Sequence, residues 1–223
     1  MEKIGVVIQA RTGSQRCRNK LLRPFAGTSL LEIALEKFSK PSDKFTFYFA
    51  AHERELLELG RRYTDNIVER GRESAEADDI RTVMNYFEGF EEETVAFLNP
   101  CHPFFRMETL ERAIDHFRES EAVSMTSVVK SHTWYYHLDG RPINFLDPTV
   151  INTKATERLL AVAHAFHIFP RKRFLEHGYM WRHAPRDPVF FEIPEREAID
   201  VDTELDFEIA EALYGRMVRK ARD

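Results

Sequence analysis

Two cysteines in 223 residues are the first constraint on this chain. Cys17 and Cys101 are too few for a disulfide framework and have neither CxxC nor zinc-finger spacing, which excludes a disulfide scaffold and a thiolate metal cluster. No apolar run approaches the roughly 20 residues that span a membrane. Basic residues are not in excess either: 32 Lys and Arg stand against 37 Asp and Glu, a formal net charge of -5, which argues against nucleic-acid binding through a broad basic face. The opening MEKIGVVIQAR enters a strand pattern without the cationic, apolar and small-residue succession of a signal peptide, so a cytoplasmic location is expected. Repeats and low-complexity tracts are missing as well. What remains, 43% hydrophobic and 31% charged residues, suits one ordered globular domain over residues 1–223.

The charge that is present is concentrated. Between Arg11 and Pro24 the basic side chains are Arg11, Arg16, Arg18, Lys20 and Arg23, with no acidic residue among them. They follow the apolar strand Ile4–Gln9. Gly13 can meet a phosphate through bare backbone, Ser14 and neighbouring N–H groups can donate, and the cations supply charge, so the loop reads as a polyphosphate holder. The competing reading is a solvated surface loop.

Along the chain, strand and helix patterns alternate, which predicts an α/β fold with a mostly parallel, Rossmann-like sheet covered on both faces in three layers. Ser29 to Glu32 has capping-box spacing before a helix to about Ser39. Strands are expected at Phe45–Ala51, Asn66–Glu69, Thr94–Asn99, Ala122–Val129, Ala165–Phe169, Val189–Ile193 and Ala198–Val201. Helices are expected at Glu53–Arg62, Asp78–Phe87, Met107–Arg118 and Pro170–His177. A last helix follows a Thr203/Asp206 cap and carries an apolar stripe of Leu205, Ile209, Ala212, Leu213 and Met217. Gly71–Ala77 reads as a polar loop. From about 132 to 165 the pattern loosens into an excursion, with Asp139-Gly140 as a hairpin turn. Ligands of open α/β sheets sit at the carboxyl ends of strands, so the loops after Gln9, Asn99 and Val201 should converge.

Three segments resemble cytidylyltransferases that activate acidic sugars, above all the CMP-sialic acid (acylneuraminate) synthetases. Ala10, Arg11, Gly13, Ser14 and Lys20 match the pattern A-R-x-G-S-K-x-x-x-x-K-N, AIDVDTELDFEIAEAL resembles I-D-I-D-T-E-L-D-F, and LNPCHPF resembles L-Q-P-T-S-P-L. Gln15, Arg18, Leu21 and the pair Cys101-His102 depart from it, and IQARTGSQRCRNKLL also resembles the spore-coat polysaccharide type. The resemblance implies a nucleotidyltransferase that joins CMP from CTP to an acidic sugar such as a nonulosonate and releases pyrophosphate. It also implies a homodimer in which the excursion meets a second subunit. Another nucleotide or acceptor on the same fold, or a catalytically silent nucleotide-binding relative, remains open.

The chemistry assigns roles. An in-line attack on an α-phosphate needs cations on the triphosphate and carboxylates for Mg²⁺. Arg11 and Lys20 carry the first task as the catalytic cations, within a nucleotide site of Ala10, Arg11, Gly13, Ser14, Gln15, Arg16 and Lys20. Asp200 and Asp202, separated by one residue on an extended segment, project to one face and can share the ion. Asp202 has a competing reading as a helix cap. Asn99, His102 and His167 are the sugar-side candidates, with His102 also the candidate general base. His164 and His167 are expected on opposite faces, a poor metal pair. Trp134 to Tyr136 reads as core or subunit interface rather than a sugar platform.

Overall fold

In the computed structural model the described residues are 2–14, 16–144, 147, 149 and 152–220. The first strand, β1 (Ile4–Gln9), is followed by the basic loop and α1 (Leu30–Phe38), then β2 (Phe45–Ala51), α2 (Arg54–Gly60) and β3 (Ile67–Glu69). Two short helices, α3 (Arg72–Glu76) and α4 (Ile80–Val83), and a 3₁₀ turn at Asn85–Gly89 lead to β4 (Thr94–Leu98), α5 (Met107–Glu119) and β5 (Met125–Ser131). The chain finishes with β6 (Leu159–Pro170), α6 (Arg171–His177), β7 (Val189–Glu192) and α7 (Glu204–Lys220). The seven strands lie in the order β3-β2-β1-β4-β6-β5-β7. Every neighbouring pair is parallel except the two that β6 makes with β4 and β5.

Alternation along the strands builds a core on each face, as side chains two apart share a side. Val6, Ile8, Ala96 and Leu98 join α1, α5 and α7 in one core, while Val7, Val95, Phe169, Phe87 and Phe174 form the other. Helix α1 begins as its sequence dictates: Ser29 Oγ accepts the Glu32 N–H and donates to the Glu32 carboxylate. Helix α2 lies so close to β2 that a Cβ on Gly60 would stand 2.2 Å from Phe49 Cδ1.

Several elements differ from expectation. The Gly71–Ala77 stretch contains α3, and the helix expected over Asp78–Phe87 is α4 followed by a 3₁₀ turn. The tightening lets fully buried Phe87 meet Phe169 and Phe174 edge-on. Residues Ala198–Val201 form no ladder. A turn from Pro194 and a bond from Val201 N–H to Cys101 O hold them instead. Helix α7 also turns differently: Phe207 and Ala210 are buried, with Phe207 edge-on to Phe25 at 5.2 Å, whereas Leu205 and Ile209 are exposed. Two apolar stripes compete on this helix, and the one carrying the aromatic surface wins.

Strand β6 is longer than Ala165–Phe169, and its register against β5 slips between Thr126 and Val128. His164 sits at φ 56°, and Ser127 Oγ accepts the N–H groups of Ala165 and Phe166 at the irregularity. This irregularity overturns the opposite-face expectation, because β6 advances five residues from Val162 to His167 while β5 advances two, which breaks the alternation: His164 Nδ1 and His167 Nε2 are 3.3 Å apart. In the excursion, the Asp139-Gly140 turn is closed by a bond from His137 N–H to Arg141 O. Buried Asn144 ties its segments together, accepting the Tyr135 N–H and donating to the carbonyls of Thr133 and Glu157.

Candidate active site

The strand-end loops after β1 and β4 and the segment before α7 converge. They line a cleft of about 740 Å³ with Arg11, Gly13, Ser14, Arg16, Lys20, Asn99, Cys101 and Asp202 on its wall. Its other wall is the Ala77–Val83 segment. A depression of about 290 Å³ lies at the opposite ends of β1 and β4, away from these loops.

Lys20 links the first loop to the segment before α7. Its half-buried ammonium donates to Val201 O at 2.6 Å and to Asp202 Oδ1 at 3.1 Å, while Arg16 holds Asp202 Oδ2 at 2.7 Å. The cap of α7 does not need Asp202: Thr203 and Asp206 satisfy each other's groups. Gly13 has open space where a Cβ would stand, so its face of the loop admits a ligand. Ala10 is buried and binds Ala50 O through its N–H. Gln15 lies outside the described residues. Not every cation of the loop faces the cleft: Arg23 pairs with Glu204 at 2.8 Å and stacks on Phe207, so it fastens the loop to α7.

Asp200 has a different environment from Asp202. Its Oδ1 is buried without a hydrogen-bond partner, 3.9 Å from His102 Nδ1, which is also buried and unpartnered. Burial, then the charge of Asp202, raises the Asp200 carboxyl to about 6. An orphaned carboxylate oxygen in this position suits a cation. Among the described residues no three His, Cys, Asp or Glu side chains close around a point, so phosphate oxygens and water would complete the shell of an ion such as Mg²⁺.

The sugar-side candidates are not brought together. Asn99 lines the cleft, and its Oδ1 accepts the Cys101 N–H in a tight turn. His102 is buried behind Asp200, and its Nε2 is 2.9 Å from Ala163 O. His167 is buried in the sheet, 2.8 Å from Thr126 Oγ1 and against Trp181. Burial keeps both rings neutral, lowering His102 to about 4 and His167 to about 3.

Glu53, Arg70 and Tyr86 carry no motif signal, yet they support the cleft. Glu53 Oε1 accepts both the N–H and hydroxyl of Thr12 at 2.7 Å, fixing the start of the basic loop. Burial would raise this carboxyl, but the bonds from Thr12 outweigh it and the carboxyl is lowered. Arg70, 2% exposed, braces the Ser74–Val83 wall, and Tyr86 donates to Gln9 at 2.9 Å. Only the acid placed two residues past the β2 end could have singled out Glu53 beforehand.

A family model described as cytidylyltransferase matches residues 5–133. No curated protein matches the sequence significantly. Among solved structures, CMP:2-keto-3-deoxy-manno-octonic acid synthetase complexed with CTP is similar over 97% of this chain and 100% of its own, with 14% identity and a TM-score of 0.71. The 4-diphosphocytidyl-2C-methyl-D-erythritol synthase of Anaerococcus prevotii covers 96% of each chain at 16% identity, TM-score 0.63. A cytidylyltransferase from Leptospira borgpetersenii serovar Hardjo-bovis covers 95% of this chain and 86% of its own at 18% identity, TM-score 0.61. At these identities the likeness establishes the α/β nucleotidyltransferase-like fold.

Proposed function

The chain belongs to the cytidylyltransferase family, and on that premise we propose that it transfers CMP from CTP to a hydroxyl of an acidic sugar, releasing pyrophosphate. The observation that supports this reading is the Lys20 bridge from the first loop to the Val201-Asp202 segment, which brings the loop's cations and the Asp202 carboxylate together at one cleft. Arg11, Arg16 and Lys20 neutralise the triphosphate and orient its α-phosphate for in-line attack. The open face at Gly13 and Ser14 takes phosphate oxygens, and Asn99 turns toward the acceptor. Asp200 and Asp202 would hold Mg²⁺, with Asp202 exchanging from Arg16 as nucleotide arrives. When bound, the ion supplies charge neutralisation at the α-phosphate and acidifies the attacking hydroxyl.

A homodimer through the excursion is part of the same reading. Tyr136, Leu138 and Ile143 on the excursion, and Leu160 and Val162 where β6 leaves it, are exposed apolar side chains that a second subunit would cover. For location, no helix among the described residues is long and apolar enough to cross a membrane, and a cytoplasmic enzyme is the proposal.

A second acceptor class is favoured by one observation: the cations lining the cleft, Arg11, Arg16 and Lys20, all come from the first loop. An acceptor without a carboxylate, such as a sugar alcohol phosphate bound through that loop, therefore competes with the acidic sugar. Pyrophosphate release with Mg²⁺, the four ribonucleoside triphosphates and a panel of both acceptor types tests the choice. Release with CTP and an acidic sugar supports the main reading, and release only with a non-carboxylate acceptor moves it to the second. CTP binding without turnover across the panel identifies a catalytically silent relative.

A further inference from the structure

We propose that Gln9 and Asn99 form the seat of the acceptor's carboxylate, each donating a side-chain amide N–H to one of its oxygens. The inference rests on the reading that the acceptor is an acidic sugar, and it names what recognises the acid. The cations lining the cleft, Arg11, Arg16 and Lys20, belong to the first loop and serve the triphosphate in that reading. A carboxylate held apart from them needs other donors.

Backbone register puts two such donors side by side. Strands β1 and β4 pair in parallel, Val7 beside Phe97 and Ile8 beside Leu98, so Gln9 and Asn99 follow as neighbours. Side chains two apart along a strand share a face, which places both amides on the side of Val7 and Phe97. Both residues are half-buried and line the cleft. Adjacent strands stand about 4.8 Å apart, a separation that the two oxygens of one carboxylate can bridge.

Both amides have their oxygen tied down. Asn99 Oδ1 accepts the Cys101 N–H at 3.0 Å, and a backbone N–H only donates, so this amide presents its NH₂. Gln9 Oε1 accepts the Tyr86 hydroxyl at 2.9 Å. Burial raises the phenol well above its ordinary value and keeps its proton in place for that bond. With both oxygens occupied, the ends left for a ligand are NH₂ groups, which donate and never accept. Such a pair suits a group with two adjacent acceptor atoms and no proton. Neutral amides hold a carboxylate through charge-assisted hydrogen bonds while the loop's cations stay with the phosphates. Tyr86 is the positioning residue, because it fixes which end of Gln9 meets the ligand.

Steady-state pyrophosphate release with CTP, Mg²⁺ and a panel of acidic sugars that includes sialic acid tests the seat. The sugar released upon fastest is the probe, and its methyl ester, which lacks the charge, is the control ligand. Gln9→Glu keeps the shape of the side chain and replaces the donor by a second carboxylate. KM for the acid should rise about tenfold or more, the scale of losing a hydrogen bond to a charged group. KM for CTP and affinity for the ester should change far less. Tyr86→Phe keeps the ring and frees the Gln9 amide to turn, so it should raise KM for the acid severalfold with kcat little changed.

An acid KM indifferent to Gln9→Glu overturns the seat and leaves the acidic-sugar reading standing. Equal losses for acid and ester overturn it as well, as does a raised KM for CTP alone, which would assign the amides to the nucleotide. No release with any acidic sugar overturns the reading and the inference together.

Discussion

Asp202 and Asp200 are two residues apart and electrostatically opposite in fortune: one is clasped by Arg16 and Lys20, the other has a buried oxygen facing only a histidine. Replacing Asp202 by Asn should leave the α7 cap intact, because Thr203 and Asp206 supply it. Mg²⁺-dependent turnover should nevertheless fall at least about tenfold, the rate equivalent of a charge-assisted contact of 1.4 kcal/mol or more. Steady-state pyrophosphate assays beside circular dichroism separate those effects, and full activity would remove Asp202 from the site. Arg11→Ala should weaken CTP binding by about 1 kcal/mol or more, measurable by calorimetry. Equal affinity would mean that Arg11 is a solvated surface cation. The basic loop was legible residue by residue, but the commitment of Arg23 to Glu204 and Phe207 was not, since it depends on a contact across most of the chain.

Elements whose signals are local matched their sequence. The Ser29–Glu32 box starts α1, and aromatic alternation marks β2. Ser29→Ala should therefore cost about 1 kcal/mol of stability in urea unfolding, the usual worth of a side-chain cap. Gly60→Ala should cost about 1–3 kcal/mol by overpacking, since the added methyl would meet the Phe49 ring against a buried strand. An unchanged unfolding midpoint would show that α2 is free to shift. Elements whose form is set by distant partners were illegible. The 3₁₀ turn at Asn85–Gly89 follows from where Phe87 must reach, and the rotation of α7 follows from Phe25. The β6 bulge likewise has no signature in AFHIF, because a register slip is a property of two strands and only one is being read. It altered the histidine geometry more than any other departure.

At the scale of the molecule, the buried histidines add to the protein's response to acid. His167 titrates near 3 in the fold and near 6.5 when unfolded, so between those values the unfolded chain binds more protons. Stability therefore falls as pH drops through that window. His167→Gln should flatten the slope of unfolding free energy between about pH 6.5 and 4.5, read by urea midpoints at each pH. An unchanged slope would assign acid sensitivity to other groups. The sheet and its parallel order were accessible from alternation, whereas the reversal of β6 was not, for strand direction leaves no mark on composition. The Lys20 bridge to Val201 and Asp202 has a consequence in time as well as space. Residue 20 leaves the ribosome 181 residues ahead of Val201, so a nascent chain can fold much of its sheet while its basic loop still lacks this anchor. The loop is thus set last although it is made first, and a polypeptide that stops short of Val201 would carry it unfastened to that segment.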